Sequence, residues 1–246
     1  MYFQKFQLSD GKGRPIFCKG TDLRAGWPIV LCLHGMGGSK ESAAITALAE
    51  KLRERGVDTL AFDWPAHGES RIGELHVEDC LASLDAAVQF ARSRSAGPLY
   101  CFATSMGGYI ATLYRNEHPD CFAKTVLRSP ALRLGDILRA VPPKLAMRKI
   151  MQGGTYNYGF DRPLELGRAF FEEVDAHDAF SVPAADPESV LILHGDADEL
   201  VPPEDSKQYA AANRIRLEIL PGADHLCRKS GDLHRILKFA TAFFGM

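Results

Sequence analysis

The sequence predicts an α/β domain: a mostly parallel central sheet flanked by helices, with a short helical insertion late in the chain. Three observations carry this. Short apolar runs alternate with segments of helical period, the pattern of βαβ units. Several of those runs are apolar throughout rather than at every second residue, as strands buried on both faces are. Finally, 246 residues with 46% apolar and 24% charged content suffice for one sizeable core and are few for two. A single domain over 1–246 is therefore expected, with the insertion at 131–187 inside it.

The elements follow in order. Residues 3–8 and 16–19 read as an opening hairpin around the turn DGKGRP. Residues 29–33 form a continuous apolar run that ends in HGMGGS. A helix is expected over 41–55, with Ile45, Leu48, Ala49 and Leu52 on one face and Gly56 as its stop. Residues 57–62 are the next strand. A long amphipathic helix covers 77–94, its stripe made of Val77, Cys80, Leu81, Leu84, Val88 and Ala91. Strand 99–103 leads into helix 106–117, which ends near Pro119, and a strand at 125–127 follows. After the insertion come strand 190–193, helix 203–212, strand 216–220 and a closing amphipathic helix at 233–244. Between Pro130 and Pro187 no core strand is evident. That stretch reads as a basic helix at 134–151, a Gly/Tyr segment GGTYNYGF, and a second helix at 164–174. A long excursion from a compact scaffold is a candidate lid, the alternative being extra packing helices.

Composition excludes several functions. Lys and Arg total 29 against 31 Asp and Glu, a net charge of −2, so no basic surface points to nucleic acid. No run approaches the ~18–20 apolar residues of a spanning helix, and MYFQKFQLSDGKG does not read as a secretory signal. A cytoplasmic location without stable membrane insertion is expected. The six cysteines form no C-x-x-C pair and are read as reduced; Cys227 stands near a candidate base. The eight histidines show no zinc spacing, so no metal is expected; no cofactor is expected either, because every candidate catalytic group is a protein group. The sequence leaves oligomeric state open, a homo-oligomer included.

Chemistry concentrates in turns that follow strands. They are HGMGGS at 34–39, DWPAHGES at 63–70, TSMGGY at 104–109, HGDADELVP at 194–202 and PGADH at 221–225. In a parallel sheet such turns share the carboxyl edge, where ligands bind. Ala103-Thr104-Ser105-Met106-Gly107 lies between a strand and a helix. Small residues two before and two after Ser105 permit a sharp turn that lifts its hydroxyl above the sheet. The Met106 N–H then sits at a helix N-terminus, aimed where an oxyanion would form. A serine needs a base and an orienting acid to act as nucleophile. His225 follows the strand at 216–220, and both Asp196 and Asp198 follow the strand at 190–193. Only one of the two can accept from the imidazole N–H. The chain order Ser, Asp, His is the one a strand-to-helix elbow predicts.

With these motifs the chain resembles the α/β-hydrolase superfamily from Ile29 to Phe244, and within it the small cinnamoyl/feruloyl-esterase-like and lysophospholipase-like carboxylesterases. The resemblance rests on Leu33-His34-Gly35-Met36-Gly37-Gly38, on Asp63 to Ser70, on the Ser105 elbow, on His194 to Asp198 with Val201-Pro202, and on Gly222-Ala223-Asp224-His225. It implies Ser105, Asp198 and His225 as the catalytic triad. It also implies the Met36 N–H as the second oxyanion donor beside that of Met106, and a cap at roughly 131–187. Asp198 is favoured as the fifth residue of His-Gly-x-x-Asp, with Asp196 and Asp224 left as turn residues and His194 as structural. Ala103 and Ala66 stand where the family often has glycine.

The expected activity is serine hydrolysis of a small-molecule carboxylic ester through an acyl-enzyme. The same groups would serve a peptidase, an amidase or an acyltransferase; a non-catalytic binding module would have no need to keep all three. In the cap, Tyr156, Tyr158, Phe160, Phe170 and Phe171 could bind an apolar or aromatic acid, or form its core. Its basic residues Arg133, Arg139, Lys144, Arg148 and Lys149 read as a solvated face.

Overall fold

A computed structural model describes residues 3–70, 73–159 and 163–246. The strands are β1 (Gln4–Ser9), β2 (Pro15–Gly20), β3 (Ile29–Leu33), β4 (Asp58–Phe62), β5 (Leu99–Thr104), β6 (Lys124–Arg128), β7 (Thr155–Asn157), β8 (Glu165–Gly167), β9 (Val190–Gly195) and β10 (Arg216–Leu220). The helices are α1 (Ala43–Arg53), α2 (Val77–Arg94), α3 (Met106–Glu117), α4 (Leu134–Arg139), α5 (Lys144–Met151), α6 (Arg168–Ala176), α7 (Pro203–Asn213) and α8 (Asp232–Phe244). Among the described residues, no helix is long and apolar enough to cross a membrane.

The main sheet has the order β1-β2-β4-β3-β5-β6-β9-β10. Neighbours from β4 to β10 pair in parallel, while β2 is antiparallel to both β1 and β4. The opening hairpin is closed by Asp10, whose Oδ1 accepts from the Lys12 and Arg14 amides at 2.9 Å each. Its register pairs Phe6 with Cys18. The central strands are buried on both faces. In β3, Ile29, Leu31 and Leu33 enter the core shared with α2, α3 and α7, whereas Val30 and Cys32 enter the core under α1 and α8. A continuous apolar run is what that double burial requires.

The chain reverses its direction of travel across the sheet at β3. It moves to β4 on one side, then returns to add β5 on the other. The carboxyl ends of β3 and β5 therefore border the crevice where open parallel sheets bind ligands.

The segment between β6 and β9 corrects two expectations. The single helix read over 134–151 is two helices, α4 and α5, separated at Pro142-Pro143. Proline lacks an N–H, and its ring drives the preceding residue out of the helical region. The helix read over 164–174 starts later, at Arg168. The residues before it, Glu165–Gly167, instead pair antiparallel with Thr155–Asn157, bringing Tyr156 opposite Leu166. The insertion thus carries a small ribbon of its own, outside the main sheet.

Its aromatic residues pack on one another. Tyr156 meets Tyr158 at 5.2 Å between ring centroids, Tyr158 meets Phe171 at 6.3 Å, and Phe171 meets Phe170 at 5.7 Å. Tyr158, Phe170 and Phe171 are buried, and the Tyr158 hydroxyl donates to the Leu138 carbonyl at 3.0 Å. They form the core of the insertion; Phe160 lies outside the described residues. The far end of the insertion is anchored by buried Arg115 of α3, which donates to the Ala185 carbonyl and the Ser189 hydroxyl, both at 2.8 Å.

Gly195 ends β9 where no side chain fits. A Cβ there would lie 2.1 Å from the Ala223 carbonyl oxygen, in the loop after β10. Gly195→Ala is expected to destabilise the protein by about 1–3 kcal/mol, the range for overpacking a closed site, measured by urea unfolding. An unchanged midpoint would show that the loop moves aside freely.

Candidate active site

Ser105 sits between β5 and α3 with φ 54° and ψ −120°. That conformation is strained for a residue with a Cβ, and here it projects the side chain beyond the sheet edge. The elbow is tied on both sides. The Ser105 N–H donates to the Arg128 carbonyl at 3.0 Å, and the Ser105 carbonyl accepts from the Ala131 N–H at 3.1 Å. Close backbone approach explains the glycines around it. A Cβ on Gly107 would lie 2.6 Å from the His34 carbonyl oxygen, and one on Gly108 would lie 2.8 Å from Pro130 Cβ. Ala103 is fully buried and its methyl is accommodated.

Three loops meet here. His225 Nε2 lies 3.1 Å from Ser105 Oγ, and His225 Nδ1 lies 2.7 Å from Asp198 Oδ2. With the proton on Nδ1, the imidazole donates to the carboxylate and Nε2 is free to accept from the hydroxyl. Asp198 Oδ1 accepts from the amides of Leu200 at 3.0 Å and Val201 at 2.8 Å. Burial alone would raise the Asp198 pKa. Hydrogen bonds from His194 and His225, with the His225 charge and the Val201 amide, outweigh it and hold the carboxyl well below its usual range. Asp198 is thus anionic and aimed at the imidazole.

Asp196 points elsewhere: its Oδ1 accepts from the Gly222 N–H at 2.5 Å, joining the loops after β9 and β10. Asp224 accepts from Arg228 and shapes the turn. His194, read from sequence as structural, also reaches the acid. Its Nε2 lies 3.3 Å from Asp198 Oδ2 and 3.0 Å from the Val201 carbonyl, while Nδ1 accepts from the Ser206 hydroxyl at 2.7 Å. The sequence signal for that contact was its place four residues before Asp198, across a tight turn.

The turn after β3 lies against the elbow. A Cβ on Gly35 would come within 3.0 Å of Ser105 Cβ. Among the described residues, neither the Met36 nor the Met106 N–H has an acceptor, and Met106 opens helix α3. Two free amides beside a serine hydroxyl can stabilise a developing oxyanion.

Two buried groups fix this turn from below. His34 Nε2 accepts from the Trp64 N–H at 3.2 Å, and Trp64 Nε1 donates to the His34 carbonyl at 2.8 Å. Lys40, 1% exposed, places its ammonium 2.6 Å from Asp63 and 2.9 Å from Glu69. Asp63 also accepts from the amides of Lys40 and Glu69 at 2.8 Å each. The turns after β3 and β4 are thereby locked together, a pairing that apolar periodicity cannot show.

A cavity of about 240 Å3 opens one turn along α3, lined by Tyr109, Leu132, Arg133, Val174, Asp175 and Asp178 among others. Ser105 does not line it. Leu132 connects the two places, one residue beyond Ala131, whose N–H binds the Ser105 carbonyl.

Residues 27–166 match the hydrolase family described as "Serine aminopeptidase, S33". The chain belongs to that family. The match covers more than half of the chain and includes Met36, Ser105 and Met106, while Asp198 and His225 lie beyond it. The uncharacterized protein YfhR of Salmonella typhi is 25% identical over 223 residues, 88% of this chain and 71% of its own length. A protein from Agrobacterium vitis S4 superposes with a TM-score of 0.84 at 19% identity, covering 99% of both chains. Est1E from Butyrivibrio proteoclasticus, solved with ferulic acid bound, superposes with a TM-score of 0.80 at 21% identity, covering 98% of this chain and 100% of its own. At such identity the structural likeness speaks for the fold, and the fold is that of the α/β hydrolases. As a member of the serine aminopeptidase family, the chain is a hydrolase of that fold.

The buried histidine of the turn after β3 has a pH signature. Burial, with the charges of His67 and Lys40, lowers the His34 pKa from about 6.5 to about 3, against an opposing hydrogen bond to Gly35. The unfolded chain takes up this proton near pH 6.5, and the native chain does not. The stability that His34 contributes is whole above pH 6.5 and is lost as pH falls from there toward 3, at up to about 1.4 kcal/mol per pH unit. Urea midpoints between pH 7 and 4 should fall less steeply in His34→Asn than in the wild type; parallel slopes would contradict this account.

Proposed function

We propose that the protein hydrolyses carboxylic esters by acyl transfer, with Ser105 as nucleophile, His225 as general base and Asp198 as the orienting acid. The observation that carries this reading is the continuous relay Ser105 Oγ–His225–Asp198, at 3.1 and 2.7 Å. In this reading His225 Nε2 takes the Ser105 proton as Oγ attacks the ester carbonyl. Asp198 holds the tautomer and stabilises the imidazolium that forms. The Met36 and Met106 amides receive the oxyanion, a role in which loss of one donor typically costs about 3–4 kcal/mol. His225 then protonates the leaving alkoxide, and water, deprotonated by the same imidazole, releases the acid.

The substrate class is an ester of a small carboxylic acid. Supporting this is the likeness to Est1E, which holds ferulic acid, an aromatic carboxylic acid that ester cleavage would release. In the same proposal residues 131–187 act as a cap within one domain, and the cavity beside Tyr109 takes the part of the substrate away from the reacting carbonyl. The six cysteines, all unpaired, suit a reducing cytoplasmic setting.

The family description favours a second reading, aminopeptidase activity on the same triad. Carboxylates line the cavity, Asp175 and Asp178 among them, and could face a substrate ammonium. A panel of short aryl esters beside aminoacyl arylamides separates the two. Preference for arylamides with a free α-amine would replace the esterase reading.

Ser105→Ala should abolish ester turnover and labelling by a fluorophosphonate probe while the far-UV circular dichroism stays unchanged. Asp198→Asn should lower kcat by about 10⁴-fold, as expected when the imidazole tautomer is wrong. Asp196→Asn should cost far less, because that carboxylate binds a backbone amide. Retained turnover in folded Ser105→Ala, or the reverse ranking of the two aspartates, would reassign the roles.

A further inference from the structure

Three non-glycine residues around the site have left-handed backbone: Ser105 at φ 54°, Ser129 at φ 43° and Cys227 at φ 54°. Strain of this kind costs about 1–3 kcal/mol per residue and persists where the surroundings enforce it. The elbow accounts for Ser105. The other two flank the same side chain, that of Arg128.

Arg128 ends β6 and is 8% exposed. Its carbonyl accepts the Ser105 N–H at 3.0 Å, and Nη1 donates to Cys227 Sγ at 3.0 Å. Cys227 stands two residues after His225, and its thiol donates in turn to the Asp224 carbonyl at 3.5 Å. Arg128 therefore grips the nucleophile's turn by its main chain and the base's turn by its side chain.

The guanidinium is otherwise poorly supplied. Among the described residues no carboxylate pairs with it, and its Nε is buried with no acceptor. Arg115, equally without a carboxylate, shows what a satisfied buried arginine looks like: it donates to three carbonyls and two hydroxyls. Among the described residues the thiol is this guanidinium's one side-chain partner, a costly way to fill space where an apolar side chain would pack more cheaply.

We infer that Arg128 is a positioning residue, which sets the distance between the Ser105 elbow and the His225 loop through its contact with the Cys227 thiol. This rests on the proposed Ser105–His225–Asp198 hydrolase. Neither Arg128 nor Cys227 touches substrate in this account. Their effect is on the geometry of proton transfer, so they bear on kcat and on nucleophile activation and leave ground-state binding alone.

The test uses the full chain with Arg128→Met, Cys227→Ala, Cys227→Ser and the double variant Arg128→Met/Cys227→Ala. Two rates are read: fluorophosphonate labelling at Ser105, and turnover of a short aryl ester resolved into kcat and KM. Arg128→Met and Cys227→Ala should each lose about 10- to 100-fold in labelling rate and kcat, the scale of a misplacement near 1 Å, with KM within about twofold. Cys227→Ser, which keeps an acceptor for Nη1, should recover most of the rate. The double variant should be no worse than the poorer single one, because both changes break one link. Wild-type labelling in folded Arg128→Met, or additive losses in the double variant, would overturn the inference. If Arg128→Met does not fold, Cys227→Ala carries the same test with the arginine in place.

Hydrogen exchange separates this inference from the hydrolase reading. Arg128→Met and Cys227→Ala should speed exchange in residues 224–231 and leave β5 and β6 unchanged. If the wild type is not labelled at Ser105, the hydrolase reading fails, and this exchange pattern still decides whether the link holds the loop. Unchanged exchange in the loop would overturn it.

Discussion

The site depends on one steric constraint: the end of β3 and the first turn of α3 touch backbone to backbone. A methyl group at Gly107 would meet the His34 carbonyl at 2.6 Å, and one at Gly35 would press on Ser105 Cβ at 3.0 Å. This contact lets the turn carrying Met36 lie beside the serine, and it is possible because β3 and β5 are adjacent at the point where the chain reverses across the sheet. The strained Ser105 backbone follows from it. A relaxed turn would separate the helix from the strand and take the two free amides apart.

Around this contact the protein uses buried polar groups as rigid spacers. His34, held neutral, braces Trp64, while Lys40 and Asp63 fasten the turns after β3 and β4. Each polar atom so used must be satisfied, since an unpaired one in a dry interior costs more than a hydrogen bond returns. The Lys40–Asp63–Glu69 network meets that condition with ammonium, carboxylates and two main-chain amides. On the far side of the sheet edge Asp198 plays the corresponding part, taking two amides on one oxygen and imidazoles on the other. The turns at the carboxyl edge thus hold one another in place through buried polar contacts as well as through the packing of Trp64, Val201 and Ala223.

Much of this was legible in the residues. The order of strands and helices follows from apolar runs such as 29–33, whose double burial leaves no polar position to confuse the period. Ser105, Asp198 and His225 are marked by their places after the strands β5, β9 and β10, and they lie within hydrogen-bonding distance of one another. The insertion is less legible. Pro142-Pro143 sat inside a helical period that suggested one helix, and backbone sterics overrode the period. The run Glu165–Gly167 reads as part of a helix because its strand partner, Thr155–Asn157, is too short to show alternation by itself. Partnerships across the fold, such as Arg128 with Cys227 or Lys40 with Asp63, join residues far apart in the chain, and one sequence carries no sign of them. An arginine closing the strand KTVLR directly after the apolar pair Val126-Leu127 is the nearest thing to a signal.

The sheet order also fixes when the three loops can meet. Thr125 pairs with Val190 and Arg128 with Leu193, so β6 and β9 join across the whole insertion. Closing a loop of that length costs chain entropy that is recovered only when the strands pair, and such non-local pairing is slow. Without β9 and β10 in the sheet, neither Asp198 nor His225 has a place beside Ser105. The three side chains can therefore meet only once β9 and β10 have joined the sheet beside β6, so the site needs both ends of the insertion in place.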